Sequence, residues 1–431
     1  MHSDRNFCVW LLTVVVVVLL SSSVCGAEDP KPAEADVSAR LSALEKHVAD
    51  LKKGGLFVQF KNGLVVTDPS NKAFKFNLGG RLHVDFGFFR HGDRIQNAFG
   101  NFQDGAEFRR ARLGISGSLN EIYEYKAEFD FAPGTTTLAD AYLGMMQVPV
   151  VGTIRVGHQF EPFGLEEQTS SKYISTIERS LTSVFSPKRN TGIRFANATC
   201  NDHVTWAVGA FRTTNNQGRA TGDGAYNFTG RVTAAPVLSD DGRQVLHGGV
   251  AISRSNPNDD EVAFMSRPET NLAPVLVDTG TIMNAEDVTL VGLESAVVLG
   301  PFSVQGEYME SHVHRDRGLD DAMFSAAYVF VSYFVTGEHR VYSRTTGVFD
   351  RVTPKANFRD GKGGAGAIEL VARVSTVDLD NEGINGSDMD NVTLGTNWYL
   401  NSNMRVMCNY VNVDHELGRV HEFLVRFGLE F

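Results

Sequence analysis

Residues 74–88 read FKFNLGGRLHVDFGF, and their parity decides the fold. Successive side chains of an extended strand point to opposite faces. Phe74, Phe76, Leu78, Leu82, Val84, Phe86 and Phe88 therefore share one face, and Lys75, Asn77, Arg81, His83 and Asp85 share the other. One face is greasy and the other ionic. In a soluble sandwich the greasy face would meet a second sheet. Here the alternation recurs to the last residue, and no helical pattern is present to cover it. In ARLGISGSL (111–119), Ala111, Leu113, Ile115 and Leu119 oppose Arg112, Gly114, Ser116 and Ser118, with Arg110 on the polar side. In YEYKAEFDF (123–131), Tyr123, Tyr125, Phe129 and Phe131 oppose Glu124, Lys126, Glu128 and Asp130. VTLGTNWYL (392–400) and HEFLVRFGLEF (421–431) follow suit.

Alternating segments of about ten residues between turn residues are the pattern of a transmembrane β-barrel. Strands are expected near 74–89, 107–119, 121–132, 138–148, 153–160, 190–198, 203–212 and 227–236. Eight more are expected near 244–254, 286–299, 302–314, 322–335, 366–379, 390–400, 404–414 and 421–431. The count is even, as a single-chain bacterial barrel needs. Tight links at 119–121, 148–152, 299–301 and 401–403 fall on one rim, and the long links 90–106, 161–189 and 255–285 on the other. The link 336–365 breaks this asymmetry: either it is an excursion on the short rim or it hides further strands.

The N-terminus reads differently. FCVWLLTVVVVVLL followed by SSSVCGA is an apolar core and a small-residue cleavage region, so residues 1–26 are expected to be a cleaved secretory signal. No other apolar run approaches the ~20 residues of a membrane helix. In residues 27–55 a polar spacer precedes VSARLSALEKHVADLKK, where Val37, Leu41, Leu44, Val48 and Leu51 alternate at spacings of four and three. That is a short coiled-coil seam. The expected class is thus all-β, a sixteen-stranded antiparallel transmembrane barrel over 56–431 with a short N-terminal coiled-coil helix. Past the signal only Cys200 and Cys408 remain, and free thiols are expected. The net charge of −11 argues against nucleic acid as a partner. The 42 glycines and 29 phenylalanines against 13 prolines fit strands, turns and an aromatic outer surface.

Five blocks carry a family resemblance: EFRRARLGISGSL (107–119), LADAYLGM (138–145), GTIRVGHQFEPFGLEEQTSSKYISTIERS (152–180), YVFVSYFVTGEHRVY (328–342) and NVTLGTNWYLNSNMRVMCNY (391–410). They resemble the phosphate-selective porin O and P family from about Phe74 to Phe431. The resemblance implies a homotrimer in the cell outer membrane, surrounded by outer-membrane lipid. It implies an inward-folded third loop and arginines lining a narrow path for phosphate or other small anions. It also makes the terminal Phe431 a signal for the outer-membrane barrel assembly machinery.

Parity turns Arg81, Arg110, Arg112, Arg155, Arg194, Arg231, Arg373 and Arg426 inward. Arginine suits phosphate because its planar fork donates two hydrogen bonds. Arg109 has the wrong parity unless it ends its strand, where it would bend to the outer rim or snorkel; it is kept with Arg81, Arg110, Arg112 and Arg231 among the expected anion-path arginines. The bland alternative pairs Arg81 with Asp85 and Arg373 with Glu369 on the wall. By resemblance, Lys172 and Arg179 of the third loop are constriction cations, and Asp140 is an acid beside the ion path. Glu124, Glu128 and Asp130 also face the lumen, which weakens the expectation of strict selectivity for phosphate. DLDNEGINGSDMD (378–390) resembles a calcium loop without its spacing and is expected to be a solvated outer loop. His312 and His314 are expected to be surface residues. No nucleophile or metal motif stands out, so no enzyme activity and no cofactor are expected. The functions in view are an anion porin, a weakly selective general porin, and a structural protein that tethers the envelope through residues 27–55.

Overall fold

In the computed structural model the described residues are Ser42, 56–68 and 73–431, apart from 223, 360, 362 and 382. The signal and the coiled-coil helix expected within 1–55 lie outside them, Ser42 excepted. The wall is made of strands β1 (Phe74–His91), β2 (Gly105–Leu119), β3 (Tyr123–Asp130), β4 (Thr137–Val148), β5 (Gly152–Phe160), β6 (Arg189–Thr199), β7 (Val204–Arg212) and β8 (Tyr226–Leu238). It continues through β9 (Gln244–Asn256), β10 (Ala285–Leu299), β11 (Phe302–Arg315), β12 (Ala322–Phe334), β13 (Ala367–Asn381), β14 (Ile384–Tyr399), β15 (Met404–His415) and β16 (Gly418–Glu430). Each strand pairs antiparallel with the next. β16 pairs with β1 from Glu430 opposite Arg81 to Val420 opposite His91, and the sheet closes. All sixteen strands lie where the alternation places them. Closure pairs the first strand with the last, which meets along the seam the bilayer's demand for backbone partners.

The greasy parity faces out. Leu82, Phe86, Phe88, Leu113, Leu143, Val329, Phe423 and Phe427 are all exposed on the outer surface. A hairpin of Phe57–Phe60 and Leu64–Thr67 pairs with Lys75–Leu78 of β1, extending the wall past the end of β16. Cys200 and Cys408 are free. His312 and His314 lie exposed at the rim, beside Glu310 and Asp321.

The long link 335–366 on the short rim is an excursion, and it turns inward. It carries its own hairpin, Val341–Ser343 with Val348–Asp350. Its Tyr342 hydroxyl lies 2.8 Å from His247 Nδ1 on the wall. From the other rim the third loop, 161–188, and the fifth, 257–284, also fold inward. Phe163, Ile177, Leu181 and Phe185 of the third loop pack with Phe264 and Leu276 of the fifth. They rest on Met309, Val313, Phe324, Val411 and Leu424 of the wall. This apolar filling occupies the outer lumen against β9 to β16 and leaves the side of β1 to β8 less occupied. The sequence reading missed the inward turn of the fifth loop. The acidic stretch 378–390 is not a loop: β13 runs to Asn381 and β14 starts at Ile384. Asp380 stays in strand geometry because its backbone N–H donates to Asp378 and its carboxylate accepts from the Ser387 N–H.

The seam makes a testable demand. Gly80 N–H donates to the Phe431 carbonyl at 2.7 Å, and Phe431 N–H donates back at 3.0 Å. A Cβ on Gly80 would sit 2.4 Å from the Arg112 carbonyl oxygen and 3.0 Å from the Phe431 ring. Gly80→Val should therefore cost about 1–3 kcal/mol, the usual range for overpacking. Semi-native electrophoresis should show the folded band lost at a lower temperature than in the parent protein.

Candidate functional site

The run of arginines in β2 sets the geometry of the lumen. His83 opposes Arg110 while Val84 opposes Phe108, so Arg109 is the extra residue of a β-bulge. A bulge sets two residues against one and re-aims the chain. Arg109 and Arg110 therefore both face inward, which corrects the expectation that Arg109 turns to the rim or the lipid. Parity assumed an unbroken ladder, and the bulge resets it.

Both arginines reach Glu178 of the third loop. Arg109 donates to its two oxygens at 3.0 and 3.1 Å, and Arg110 at 3.2 and 3.3 Å. Arg426 of β16 donates to the same carboxylate at 2.6 Å and to Asp85 at 2.7 and 2.6 Å. Burial opposes the charge on Glu178. The three guanidinium groups overcome it and hold the carboxyl well below the usual carboxylate range. Glu178 thus ties the loop to both sides of the barrel seam.

The other inward cations are mostly paired, but not as expected. Arg81 donates to Glu128 at 2.8 Å and to Ser171 at 2.6 Å, because Arg426 occupies Asp85. Arg373 pairs with Glu269 at 2.6 Å and Glu166 at 3.3 Å, not with Glu369. Both of those acids arrive on inward-folded loops, which a reading of the wall alone does not see. Glu369 accepts instead from Ser175, Ser332, Asn397 and Tyr399. Arg112 holds Asp130 at 2.7 Å and Arg155 holds Glu124 at 2.6 Å. Lys126 and Arg189 engage opposite oxygens of Asp140 at 2.5 and 2.7 Å. Arg231 pairs with Glu294 at 2.5 Å and donates to the Gly347 carbonyl at 2.8 Å, holding the short-rim excursion. Glu124, Glu128 and Asp130 do face the lumen, and each has a cation against it.

Arg179 sits within the third loop. It donates to the carbonyls of Glu166, Glu167 and Thr169 at 3.1, 3.2 and 2.9 Å, fastening the loop to itself. Lys172 borders open lumen, with Nζ 3.1 Å from the Phe431 main-chain oxygen. Burial first, and then the neighbouring Arg81, push its ammonium down to about 7. Arg194 has no carboxylate within 4 Å among the described residues. Its guanidinium donates only to Gln168 at 3.3 Å and to the Phe160 carbonyl at 3.4 Å.

The open space is bordered by cations. On the short-rim side a cavity of about 1210 Å³ is lined by Lys61, Lys75, Arg81, Lys126, Lys172 and Arg351, against Glu124, Glu128 and Asp350. A cavity of about 400 Å³ between β5 and β8 carries Arg155, Arg194 and Arg231 against Asp202. The outer mouth, about 670 Å³, is lined by Asn190, Asn227, Arg212, Arg219 and Glu261. Sequence reasoning assigned no role to Glu178, Lys126, Arg189 or Arg351. Lys126 shares the inward parity of Glu124 and Glu128 and could have been found. Arg351 lies on an irregular link with no periodic signal. Among the described residues, no His, Cys, Asp and Glu group gathers to hold a metal ion.

Comparison with known proteins fits this geometry. Residues 76–422 match the family described as phosphate-selective porin O and P. The chain is similar to Porin O of Pseudomonas aeruginosa, 26% identical over 394 residues that cover 83% of this chain and 86% of that one. The anion-selective porin from Comamonas acidovorans shares the fold at a TM-score of 0.54 and 12% identity, covering 83% of this chain and 99% of that one. The trimer form of OmpT, an outer membrane protein of Vibrio cholerae, does so at 0.52 and 13%, covering 83% and 100%. The chain belongs to the phosphate-selective porin O and P family and is an outer-membrane porin.

Proposed function

We propose that the barrel is a passive channel for phosphate or related small anions. The observation that carries this reading is an inversion of sign. The chain as a whole has a net charge of −11, yet cations outnumber acids around the two lumenal cavities that line β1 to β8. A pore bordered by surplus positive charge concentrates anions and repels cations.

The cations divide by exposure. Lys126 and Arg155 keep side chains about a third open, at 29% and 33%, and act with Lys172 and Arg351 as direct contacts for a passing ion, while Arg109 is held on both oxygens of Glu178. Arg81, Arg110, Arg112 and Arg231 are screened by carboxylates and supply field from behind them. Asp140 orients Lys126 and Arg189, and each of its oxygens keeps a lone pair that can accept a hydrogen bond from a protonated phosphate. Partial neutralisation suits transport, because an ion must be held weakly enough to leave. The trimer form of one structural relative favours a homotrimer here. The second reading, a weakly selective anion pore, rests on the acids Glu124, Glu128 and Asp130 that share the lumen.

The deciding experiment is the reversal potential of the reconstituted protein across a KCl gradient, followed by titration of phosphate against chloride current. Anion preference with phosphate block at low concentration supports a phosphate path. Anion preference without block leaves the weakly selective pore, and cation preference overturns both. Lys172→Gln should lower the anion-to-cation permeability ratio roughly six- to sixteenfold below pH 7, as a unit charge 5–8 Å away in water attracts an anion and repels a cation by about 0.5–0.8 kcal/mol each. Arg179→Gln should leave the ratio close to the parent value. The Lys172 ammonium carries its charge below about pH 7 and loses it above. Anion preference should therefore fall as pH rises from 6 to 8, and Lys172→Arg should abolish that step.

A further inference from the structure

On the lipid side of the seam, near the outer rim, Arg90 of β1 lies directly opposite His421 of β16. Both side chains are exposed and face away from the lumen. They border a cleft of about 560 Å³ that also takes in Phe88, Tyr410, Phe423 and Asp104. We propose that this cleft binds the phosphorylated headgroup of an outer-leaflet lipid, with the acyl chains lying along the aromatic column beneath it.

Charge and depth carry the assignment. Among the described residues no carboxylate lies within 4 Å of Arg90. Two acids border the cleft: Glu422 is fully buried, and Asp104 is occupied on one oxygen by the Phe89 N–H at 2.9 Å. The Tyr410 hydroxyl lies 2.9 Å from His421 Nδ1, and the two rings stack at 12°. In the tautomer whose Nδ1 accepts from that hydroxyl, the imidazole proton sits on Nε2 and can donate to a phosphate oxygen. The cleft thus offers a forked guanidinium and an imidazole donor side by side, a match for phosphate oxygens.

Below the cations the wall is apolar without a break. Phe88 and Phe423 have ring centroids 6.3 Å apart, and Phe86 and Phe427 meet edge-on at 6.2 Å. Leu82 and Leu429 then pair lower on the same two strands. Eight residues at 3.4 Å, tilted about 40°, place Arg90 roughly 20 Å above Leu82. That is close to the ~25 Å height of the apolar band of a barrel, so the cations sit at headgroup level over chain-length greasy surface.

The alternative occupant is a second copy of the chain, and the wall heights speak against it. A strand needs about 9–11 residues to cross the bilayer. β3 has 8 residues and β5 and β7 have 9, so the low wall there is the side that gains most from cover by a neighbour. β1 and β16, with 18 and 13 residues, span the band unaided.

The test uses the purified full chain in native mass spectrometry, incubated with dioleoyl phosphatidic acid or dioleoyl phosphatidylcholine. Phosphatidic acid should be retained preferentially. Arg90→Ala with His421→Ala should weaken that retention at least about tenfold, and Arg90→Gln alone should weaken it less. Arg419→Ala should change nothing, because that guanidinium is already paired with Asp414 at 3.3 Å. Chloride conductance should be unchanged in all three variants. Equal retention of the two lipids, or full retention by the double variant, would overturn the proposal. A change in oligomeric mass with retention intact would give the face to a second copy and overturn it as well.

Discussion

The structure depends first on the absence of water in the bilayer core. Every backbone donor and acceptor facing lipid must be satisfied within the sheet, so the last strand has to return to the first. The pairing of β16 with β1 meets that demand, and the Gly80–Phe431 exchange locks its lower end. Once the wall is closed, alternation does the rest. One parity is given to lipid and the other to an enclosed lumen, where charged groups can be used at close quarters.

The lumen of so wide a barrel would be a large aqueous hole. Three inward segments prevent this, and their attachment is largely ionic. Glu178 holds three guanidinium groups, Glu269 meets Arg373, and the Gly347 carbonyl meets Arg231. Removing one member of such a buried set leaves an uncompensated charge, which costs about 3–5 kcal/mol, whereas the net gain from the intact pair is small. These pairs are therefore better understood as fixing where the loops sit than as stabilising the fold. They also set the field an ion meets, since each acid that anchors a loop subtracts from the positive surplus of the wall.

That double duty explains why the candidate arginines are not equivalent. The inward arginines differ in their surroundings: Arg110 and Arg231 are buried behind carboxylates, and Arg179 donates to loop carbonyls. The cations that border the open lumen, Lys126, Arg155, Lys172 and Arg351, come from two strands, a loop and an irregular link. Their convergence is a property of the folded lumen and of no one segment.

The sequence alone determined the strand count, the strand positions and the sorting of lipid-facing from lumen-facing side chains. A period of two is a local property of an extended chain, legible wherever one face must be apolar. Parity also placed Arg81, Arg112, Glu124, Glu128 and Asp130 correctly. It failed at Arg109, where one extra residue shifts the ladder and only the register with β1 reveals it. It failed again for the partners of Arg81 and Arg373. Glu128 reaches Arg81 from β3, two strands away, and the acids on Arg373 arrive on loops distant in sequence, where no local period encodes how a loop will rest. The tertiary structure decided which charges meet, because ion pairing acts through space, across separations of tens to hundreds of residues.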